Sequence, residues 1–179
     1  MGSGKPERKR TVFVMIDMQD KFVPAIDDIR NVISNAKILA ESAGILGIPL
    51  LATEQYPKGL GHTVAELKPE NVTEKTEFSC LANAGFAEKL EKLKPKDLVL
   101  FGIEAHVCVL QTALDALEMG YRVHVVSDAV SSRKQHDRDR ALERMGQSGA
   151  FTVTTEMILF QLLEKAGTEE FRKISALVK

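Results

Sequence analysis

One stretch, from Asp97 to Leu110, joins a strand pattern to a helix pattern across a single glycine. The apolar run from Leu98 to Phe101 has the length and composition of a strand that is buried on both faces. After Gly102 the apolar positions recur at helical spacing, at Val107, Leu110, Leu114 and Leu117. A buried strand followed directly by a helix is the repeating unit of parallel α/β folds, so this stretch restricts the chain to that class.

The same alternation runs through the rest of the chain. Further strands are predicted at 11–16, 50–53, 71–76, 121–127 and 151–153. Further helices are predicted at 28–46, 84–93 and 135–149, then one ending at Leu163 and one beginning after Thr168. The chain has 179 residues, of which 44% are hydrophobic, and this is enough for one domain with a full core. We therefore predict a single-domain, three-layer α-β-α fold around a parallel sheet.

The bulk numbers exclude several classes of partner. A formal charge of −1 gives no reason to expect nucleic acid or an acidic membrane as a partner, and no apolar run reaches the ~20 residues of a membrane span. Residues 1–10 are basic and no apolar signal core follows them, so we predict a disordered lead and a folded domain at 11–179. Two cysteines make no disulfide framework, which favours a cytoplasmic location. Organellar import is the alternative, and Glu7 weakens it by interrupting the basic run.

Cys108 falls in the first turn of the helix that follows the buried strand. The unpaired N–H groups and the dipole at a helix start favour the thiolate, so a lowered thiol pKa is expected there. Nucleophilic enzymes place a cysteine in this way. The alternative is a small buried residue at a helix start, and this stretch alone does not separate the two.

Polar residues lie just past the predicted strand ends, where ligands bind in open parallel sheets. They are Asp17, Glu54, Lys75, the segment Glu104 to Cys108, and Asp128. Asp17 is a candidate base for Cys108, and its alternative role is to cap a turn. Lys75 is a candidate cation for the thiolate, although its local sequence favours an ordinary solvated charge. The backbone N–H groups at and before Cys108 are candidates for an oxyanion hole.

Other chemistries fit the sequence less well. The turn after the first strand is acidic and free of glycine, so no dinucleotide cofactor is predicted. The four histidines are scattered, and no metal site is predicted. His106 lies two residues before Cys108, a spacing that points the side chains in different directions, so we expect it at the pocket rim or in solvent.

Six segments at characteristic spacing together resemble the isochorismatase-like cysteine hydrolases, and the resemblance covers Val12 to about Leu163. The segments are Ile16–Phe22, Thr53–His62, Glu74–Ser79, Gly102–Cys108, Asp128–Arg133 and Gln147–Phe151.

The resemblance implies a six-stranded parallel sheet of order 3-2-1-4-5-6. It also implies a catalytic triad in which Cys108 is the nucleophile, Asp17 the base and Lys75 the cation. A cis peptide between Ile103 and Glu104 would then aim the N–H groups of Glu104 and Cys108 at an oxyanion. Family members commonly form dimers or larger assemblies, so a homo-oligomer is expected. The implied substrate pocket consists of Phe22, Gln55, Tyr56, Ala105 and His106.

Two departures from the family pattern bear on the substrate. Nicotinamidases of the family bind zinc through an Asp-x-His pair, and the corresponding residues here are Glu54, Gln55 and Tyr56. We therefore predict no catalytic metal and disfavour nicotinamide. Most members carry Thr at the position of Ala105 and a different residue at that of His106.

The resulting hypothesis is a metal-independent cysteine hydrolase that acts on a small amide or related acyl substrate through a thioester-type intermediate. A binding or assembly protein that retains the hydrolase pocket is the first alternative. A redox use of Cys108 with Cys80 as the resolving thiol is the second, and it requires the two sulfurs to come within disulfide reach.

Overall fold

The computed structural model describes residues 4–179. Its strands are β1 (Thr11–Ile16), β2 (Leu50–Gln55), β3 (Val72–Lys75), β4 (Asp97–Ile103), β5 (Arg122–Ser131) and β6 (Phe151–Val153). Its α-helices are α1 (Ile29–Leu46), α2 (Pro57–Leu60), α3 (Ala84–Leu93), α4 (Leu110–Glu118), α5 (Gln135–Gln147), α6 (Thr155–Leu163) and α7 (Glu169–Leu177).

All strand pairs are parallel, and the sheet has the order β3-β2-β1-β4-β5-β6. This confirms the predicted six-stranded parallel sheet and its order. The chain turns outward in opposite directions from β1 and β4, which lie side by side at the centre. Their adjacent carboxyl ends form the switch point where ligands bind in sheets of this kind.

The two faces of the sheet bury separate hydrophobic layers, because successive side chains of a strand point to opposite faces. Phe13 and Met15 of β1 join the layer formed with α1, α6 and α7. Val12 and Val14 join the layer formed with α3, α4 and α5. All six residues of β1 are buried, as expected for a central strand covered on both sides.

Helix caps lie where the sequence contains suitable residues. Asn83, Thr154 and Thr168 each accept a hydrogen bond from the backbone N–H three residues further on, at the starts of α3, α6 and α7. Gly47 ends α1 in the left-handed conformation that glycine adopts at little cost. Within residues 4–179 no helix combines the length and the apolar character needed to cross a membrane.

The basic lead differs from the expected disorder over the part that is described, whereas residues 1–3 lie outside the described residues. Glu7 donates its backbone N–H to the Asp97 carboxylate at 2.9 Å. Arg8 donates to the carbonyl at the end of α1, Leu46 O, and to the Glu170 carboxylate. These contacts need the positions of distant residues, which composition alone does not supply.

Candidate active site

Neighbouring strand ends bring polar side chains from separate segments to the switch point. Asp17 follows β1, Gln55 ends β2 and Lys75 ends β3, and Cys108 lies in the turn that follows β4. Since β3, β2, β1 and β4 are consecutive in the sheet, these residues meet although they lie up to 91 positions apart in the chain. The three residues named by sequence as catalytic candidates, Asp17, Lys75 and Cys108, are thus brought together.

The backbone is shaped to admit this close approach. Gly102 has φ +124°, and a Cβ at that position would lie 2.1 Å from Ile16 O of the neighbouring strand, so only glycine fits. Asp17 itself has φ +52°, which turns the chain out of β1 at the carboxylate. The peptide bond between Ile103 and Glu104 is cis.

Cys108 lies in a five-residue π-helical turn, Ala105–Val109, and the α-helix begins only at Leu110. Apolar spacing does not distinguish this turn from an α-helical one, so the sequence placed Cys108 in the first α-helical turn. The residue is 5% exposed. π-helical turns occur frequently at functional sites.

Asp17 and Lys75 form an ion pair with almost no contact with solvent. Lys75 Nζ lies 2.8 Å from Asp17 Oδ2, and the two side chains are 0% and 1% exposed. Thr53 donates its hydroxyl to the other carboxylate oxygen, Asp17 Oδ1, at 2.7 Å. Burial is the largest influence on Lys75 and pulls its pKa down, but the charge and hydrogen bond of Asp17 together with the two nearby sulfurs outweigh burial, so the net pKa is raised and Lys75 stays an ammonium.

The pKa of the Cys108 thiol is raised, contrary to the lowered pKa expected from the sequence. Burial raises the pKa of Cys108 first, the Asp17 charge raises it further, and Lys75 only partly offsets them. The prediction of a lowered pKa considered the helix start alone. It was wrong because desolvation and a neighbouring carboxylate both act against the thiolate.

Gln55 connects the lysine to the cysteine. Its side-chain carbonyl oxygen accepts a hydrogen bond from Lys75 Nζ at 2.6 Å and lies 4.0 Å from Cys108 Sγ, within reach of the thiol proton. The Gln55 side-chain nitrogen donates to Thr76 O at 2.8 Å. Gln55 is 8% exposed, so the amide belongs to the interior of the site.

The other predicted pocket residues have different environments. Ala105 is buried, Phe22 is half-buried, and Tyr56 is 55% exposed. His106 is half-buried, and its Nδ1 lies 2.9 Å from Ser132 Oγ. Glu104 accepts a hydrogen bond from Arg133 at 2.8 Å. Their role in substrate binding stays a prediction.

Five residues of this network were not singled out from the sequence as site residues. Thr53 and Gln19 contact the site through side-chain hydrogen bonds, and Thr76, Glu77 and Phe78 contribute backbone carbonyls. A usable signal existed for the side chains of Thr53 and Gln19, because both are polar residues in the segments that carry the family resemblance. No pattern signals a backbone carbonyl.

Cys80 is fully buried behind the pair, with its sulfur 3.7 Å from Thr53 Oγ1. Burial raises the pKa of Cys80 to about 11, and the nearby Asp17 charge adds to the effect. Both cysteines are free thiols.

The residues at the positions of the nicotinamidase zinc ligands, Glu54 and Tyr56, differ from that Asp-x-His pair, and Glu54 makes hydrogen bonds within the protein. Glu54 accepts hydrogen bonds from the Thr63 backbone and hydroxyl at 2.6 Å and 2.8 Å, and lies 3.0 Å from His62 Nδ1. Tyr56 stands at the position that corresponds to the histidine of the nicotinamidase pair. In the described part of the chain, no three His, Cys, Asp or Glu side chains are grouped as metal ligands.

These observations define an α/β protein of the parallel-sheet class with a cysteine site at its switch point. Comparison with known proteins supplies the family. Residues 11–157 match the family model described as Isochorismatase domain. Isochorismatase domain-containing protein 2 of Danio rerio is 45% identical over 179 residues, which cover 99% of this chain and 91% of the relative. The chain belongs to the isochorismatase family, and with it to the hydrolases.

Solved structures agree with this assignment. The MAR1 ribonuclease of Caenorhabditis elegans superposes with a TM-score of 0.91 at 40% identity, covering 96% of this chain and 91% of that one. The YcaC gene product of Escherichia coli, described as an octameric hydrolase of unknown specificity, has a TM-score of 0.89 at 24% identity over 99% and 89% of the two chains. The likeness to YcaC is one of fold.

Proposed function

We propose that this protein is a metal-independent cysteine hydrolase that acts on a small amide or related acyl substrate. The observation that carries the proposal is the desolvated Asp17–Lys75 ion pair beside the Cys108 thiol. A buried pair of opposite charges costs desolvation energy and is a weak source of stability, so its place beside a nucleophile favours a chemical role.

Acylation begins at the protonated thiol. Asp17 takes the proton of Cys108 as the sulfur forms a bond to the carbonyl carbon of the substrate. The raised pKa of the thiol makes this transfer unfavourable in the free site, so it accompanies attack rather than preceding it. Lys75 stabilises the negative charge that moves between Asp17 and the sulfur. The C–N bond then breaks, and the departing amine receives the proton from Asp17.

In deacylation, water is the nucleophile and the Cys108 sulfur is the leaving group. Asp17 removes a proton from water as the oxygen attacks the thioester carbon. The C–S bond breaks, the acid departs, and the proton returns to the Cys108 sulfur. The sum is amide plus water giving acid plus amine, so Asp17, Lys75 and Cys108 return to their starting states. The oxyanion of both tetrahedral intermediates is assigned to the backbone N–H groups of Glu104 and Cys108.

The proposed substrate pocket consists of Phe22, Gln55, Tyr56, Ala105 and His106. The proposed active form of the protein is a cytoplasmic homo-oligomer. Support for the oligomer comes from two large, exposed side chains close to Lys75. They are Tyr56, which is 55% exposed, and Phe78, which is 52% exposed. Exposed aromatic side chains are enriched where protein surfaces associate.

The proposal excludes a resident metal because of the chemistry at Glu54. Both oxygens of that carboxylate are committed, one to the Thr63 backbone and hydroxyl and the other to His62. A metal at this position would have to displace those partners, and Tyr56 is a poor substitute for an imidazole ligand.

The name of the Caenorhabditis elegans relative suggests RNA as a rival substrate. Phosphodiester cleavage needs cations that face the phosphate. Here the Lys75 ammonium is enclosed by oxygen acceptors, and Arg133 is paired with Glu104. An acyl carbon is the better-supported target.

A binding or assembly protein that keeps the pocket is the second candidate. The observation that favours it is the raised pKa of Cys108, since a protonated thiol is a poor nucleophile until a substrate promotes proton transfer.

A panel of small primary amides and thioesters, tested with the parent protein and Cys108→Ala, separates these candidates. We expect release of ammonia or thiol by the parent alone, and an acyl adduct on the peptide that contains Cys108 after rapid quenching. Equal turnover by the two proteins would contradict the mechanism. Cleavage of single-stranded RNA by the parent, lost in Cys108→Ala, would favour the rival substrate. Tight binding without turnover would favour the second candidate.

A further inference from the structure

We infer that Gln55 is a positioning residue of the site: its side-chain carbonyl, which lies near the Cys108 sulfur, holds the Lys75 ammonium beside Asp17. The inference rests on the proposed cysteine chemistry and deepens it. The sequence and the family resemblance assigned Gln55 only to the wall of the substrate pocket.

The orientation of the Gln55 amide is determined by its partners. Its nitrogen can only donate, and it donates to Thr76 O at 2.8 Å. The carbonyl oxygen must therefore point the other way, toward Lys75 Nζ at 2.6 Å and Cys108 Sγ at 4.0 Å. The site thus receives an acceptor from Gln55 and no donor.

A second buried glutamine holds Gln55 in place. The Gln55 backbone N–H donates to the Gln19 side-chain carbonyl at 2.7 Å, and the Gln19 side-chain nitrogen donates to Gln55 O at 3.0 Å. The same nitrogen also donates to Gly61 O at 2.6 Å. Gln19 is 0% exposed and lies two residues after Asp17, so this reciprocal pair links the base to the end of β2. A residue that only lined a pocket would not need both its backbone and its amide fixed.

Lys75 has more acceptors than it can use fully. An ammonium offers three N–H donors, and four oxygens lie within reach. Gln55 Oε1 is at 2.6 Å, Asp17 Oδ2 at 2.8 Å, and the backbone carbonyls of Glu77 and Phe78 both at 3.2 Å. The two shortest contacts, from Gln55 and Asp17, determine where the ammonium sits, and the carbonyls share the remaining donor.

The neutrality of Gln55 matters as much as its reach. Asp17 already disfavours the thiolate, and a second carboxylate beside the sulfur would disfavour it further. An amide at this position orients the cation without opposing the charge that the sulfur must acquire. This predicts that the reactivity of Cys108 depends on the charge and on the hydrogen-bonding capacity of residue 55.

The experiment measures the rate of iodoacetamide alkylation of Cys108 against pH by mass spectrometry. The variants are Gln55→Glu, which keeps the shape and adds a charge, and Gln55→Leu, which removes the acceptor. Gln147→Glu, an exposed change at the end of α5, is the matched charge control. Thermal unfolding of each variant shows whether it is folded, and Gln55→Asn, which keeps the amide and shortens it, replaces Gln55→Leu if that variant does not fold.

We expect Gln55→Glu to lower the alkylation rate near neutral pH about tenfold, since a nearby like charge shifts a titration by roughly one unit or more. Gln55→Leu should move the profile the same way by less, and Gln147→Glu should match the parent. The inference fails if both Gln55 variants match the parent while Lys75→Ala shifts the profile. If Lys75→Ala and Asp17→Asn also match the parent, neither residue influences the reactivity of Cys108. The inference and the proposed function then fail together.

Discussion

The sheet carries a buried carboxylate at each end of its central strands, and the two are paired differently. Asp17, at the carboxyl end of β1, pairs with Lys75 beside a thiol. Asp97, at the amino end of β4, accepts two hydrogen bonds from the Arg122 guanidinium at 2.8 Å and 2.7 Å. His124 Nε2 and the Glu7 backbone N–H complete its partners at 3.0 Å and 2.9 Å.

The difference lies in what each partner can do. A guanidinium binds a carboxylate in a rigid two-point geometry and keeps its proton, which suits a structural pair. An ammonium is a point charge that can redirect its hydrogen bonds, which suits a pair that must follow a moving proton. A buried carboxylate with a cationic partner therefore does not by itself mark a reactive site, since the sheet has one at each end and only Asp17 has a thiol beside it.

The largest expected effect is on the rate of hydrolysis, which should depend on Asp17 and not on Asp97. Asp17→Asn removes the proposed base and should lower hydrolysis by roughly 10²–10⁴-fold, the usual contribution of a positioned base. Asp97→Asn should leave turnover unchanged at a temperature where it is folded. The measurement is kcat on whichever amide the panel identifies. A similar loss in both variants would mean that Asp17 acts through the fold alone.

A stability effect follows from the buried pair at the site. Lys75→Met leaves Asp17 desolvated and unpaired, and should lower the free energy of unfolding by roughly 3–5 kcal/mol. Combining it with Asp17→Asn removes both charges and should recover most of that loss. Urea unfolding of the two single variants and the double variant measures the coupling. Additive losses would show that the two side chains do not stabilise each other.

Asp97→Asn should be somewhat less costly, at about 2–3 kcal/mol, because the Arg122 side chain left behind is 26% exposed and keeps part of its hydration. Chemical unfolding at neutral pH gives the value. If Asp97→Asn lowered the free energy of unfolding more than Lys75→Met does, the pairing of Asp97 would be worth more to stability than that of Asp17, contrary to this prediction.

The smallest expected effect is a pH dependence of stability. Burial raises the pKa of Asp97, but His124, Arg122 and the Glu7 N–H together outweigh it, so the net pKa is lowered. The stabilisation from this group is present above the unfolded pKa of about 3.9 and is lost as the pH falls through the lower folded value. The urea midpoint should therefore fall more steeply below pH 4 in the parent than in Asp97→Asn. Parallel curves would contradict this assignment.

The fold was largely predictable from the sequence because it rests on local patterns. Apolar runs and helical spacing identify the strands and long helices, and several bounds, such as 11–16 and 84–93, coincide with the structure. The short helix α2 and the extension of β5 to Ser131 were missed. The first spans one turn, and the second crosses an irregularity in the register with β4.

The sequence predicted which residues meet at the candidate site better than it predicted their protonation and hydrogen bonds. Asp17, Lys75 and Cys108 follow strand ends, and the parallel topology brings such residues together. The state of the thiol was not predictable, because it depends on burial and on the distance from Asp17, which no local pattern encodes. The contacts of Gln55 were hidden for the same reason, since its partners Gln19 and Thr76 lie in other segments.

The most direct test of the central claim, that Asp17, Lys75 and Cys108 act as one unit, is the pH profile of Cys108 alkylation in the parent, Asp17→Asn and Lys75→Ala. Asp17 disfavours the thiolate and Lys75 favours it, so the two substitutions should shift the profile in opposite directions, to lower pH for Asp17→Asn and to higher pH for Lys75→Ala. Cys80, fully buried with its pKa raised to about 11, should stay unmodified throughout and serves as the internal reference. Profiles that coincide in all three proteins would contradict the account.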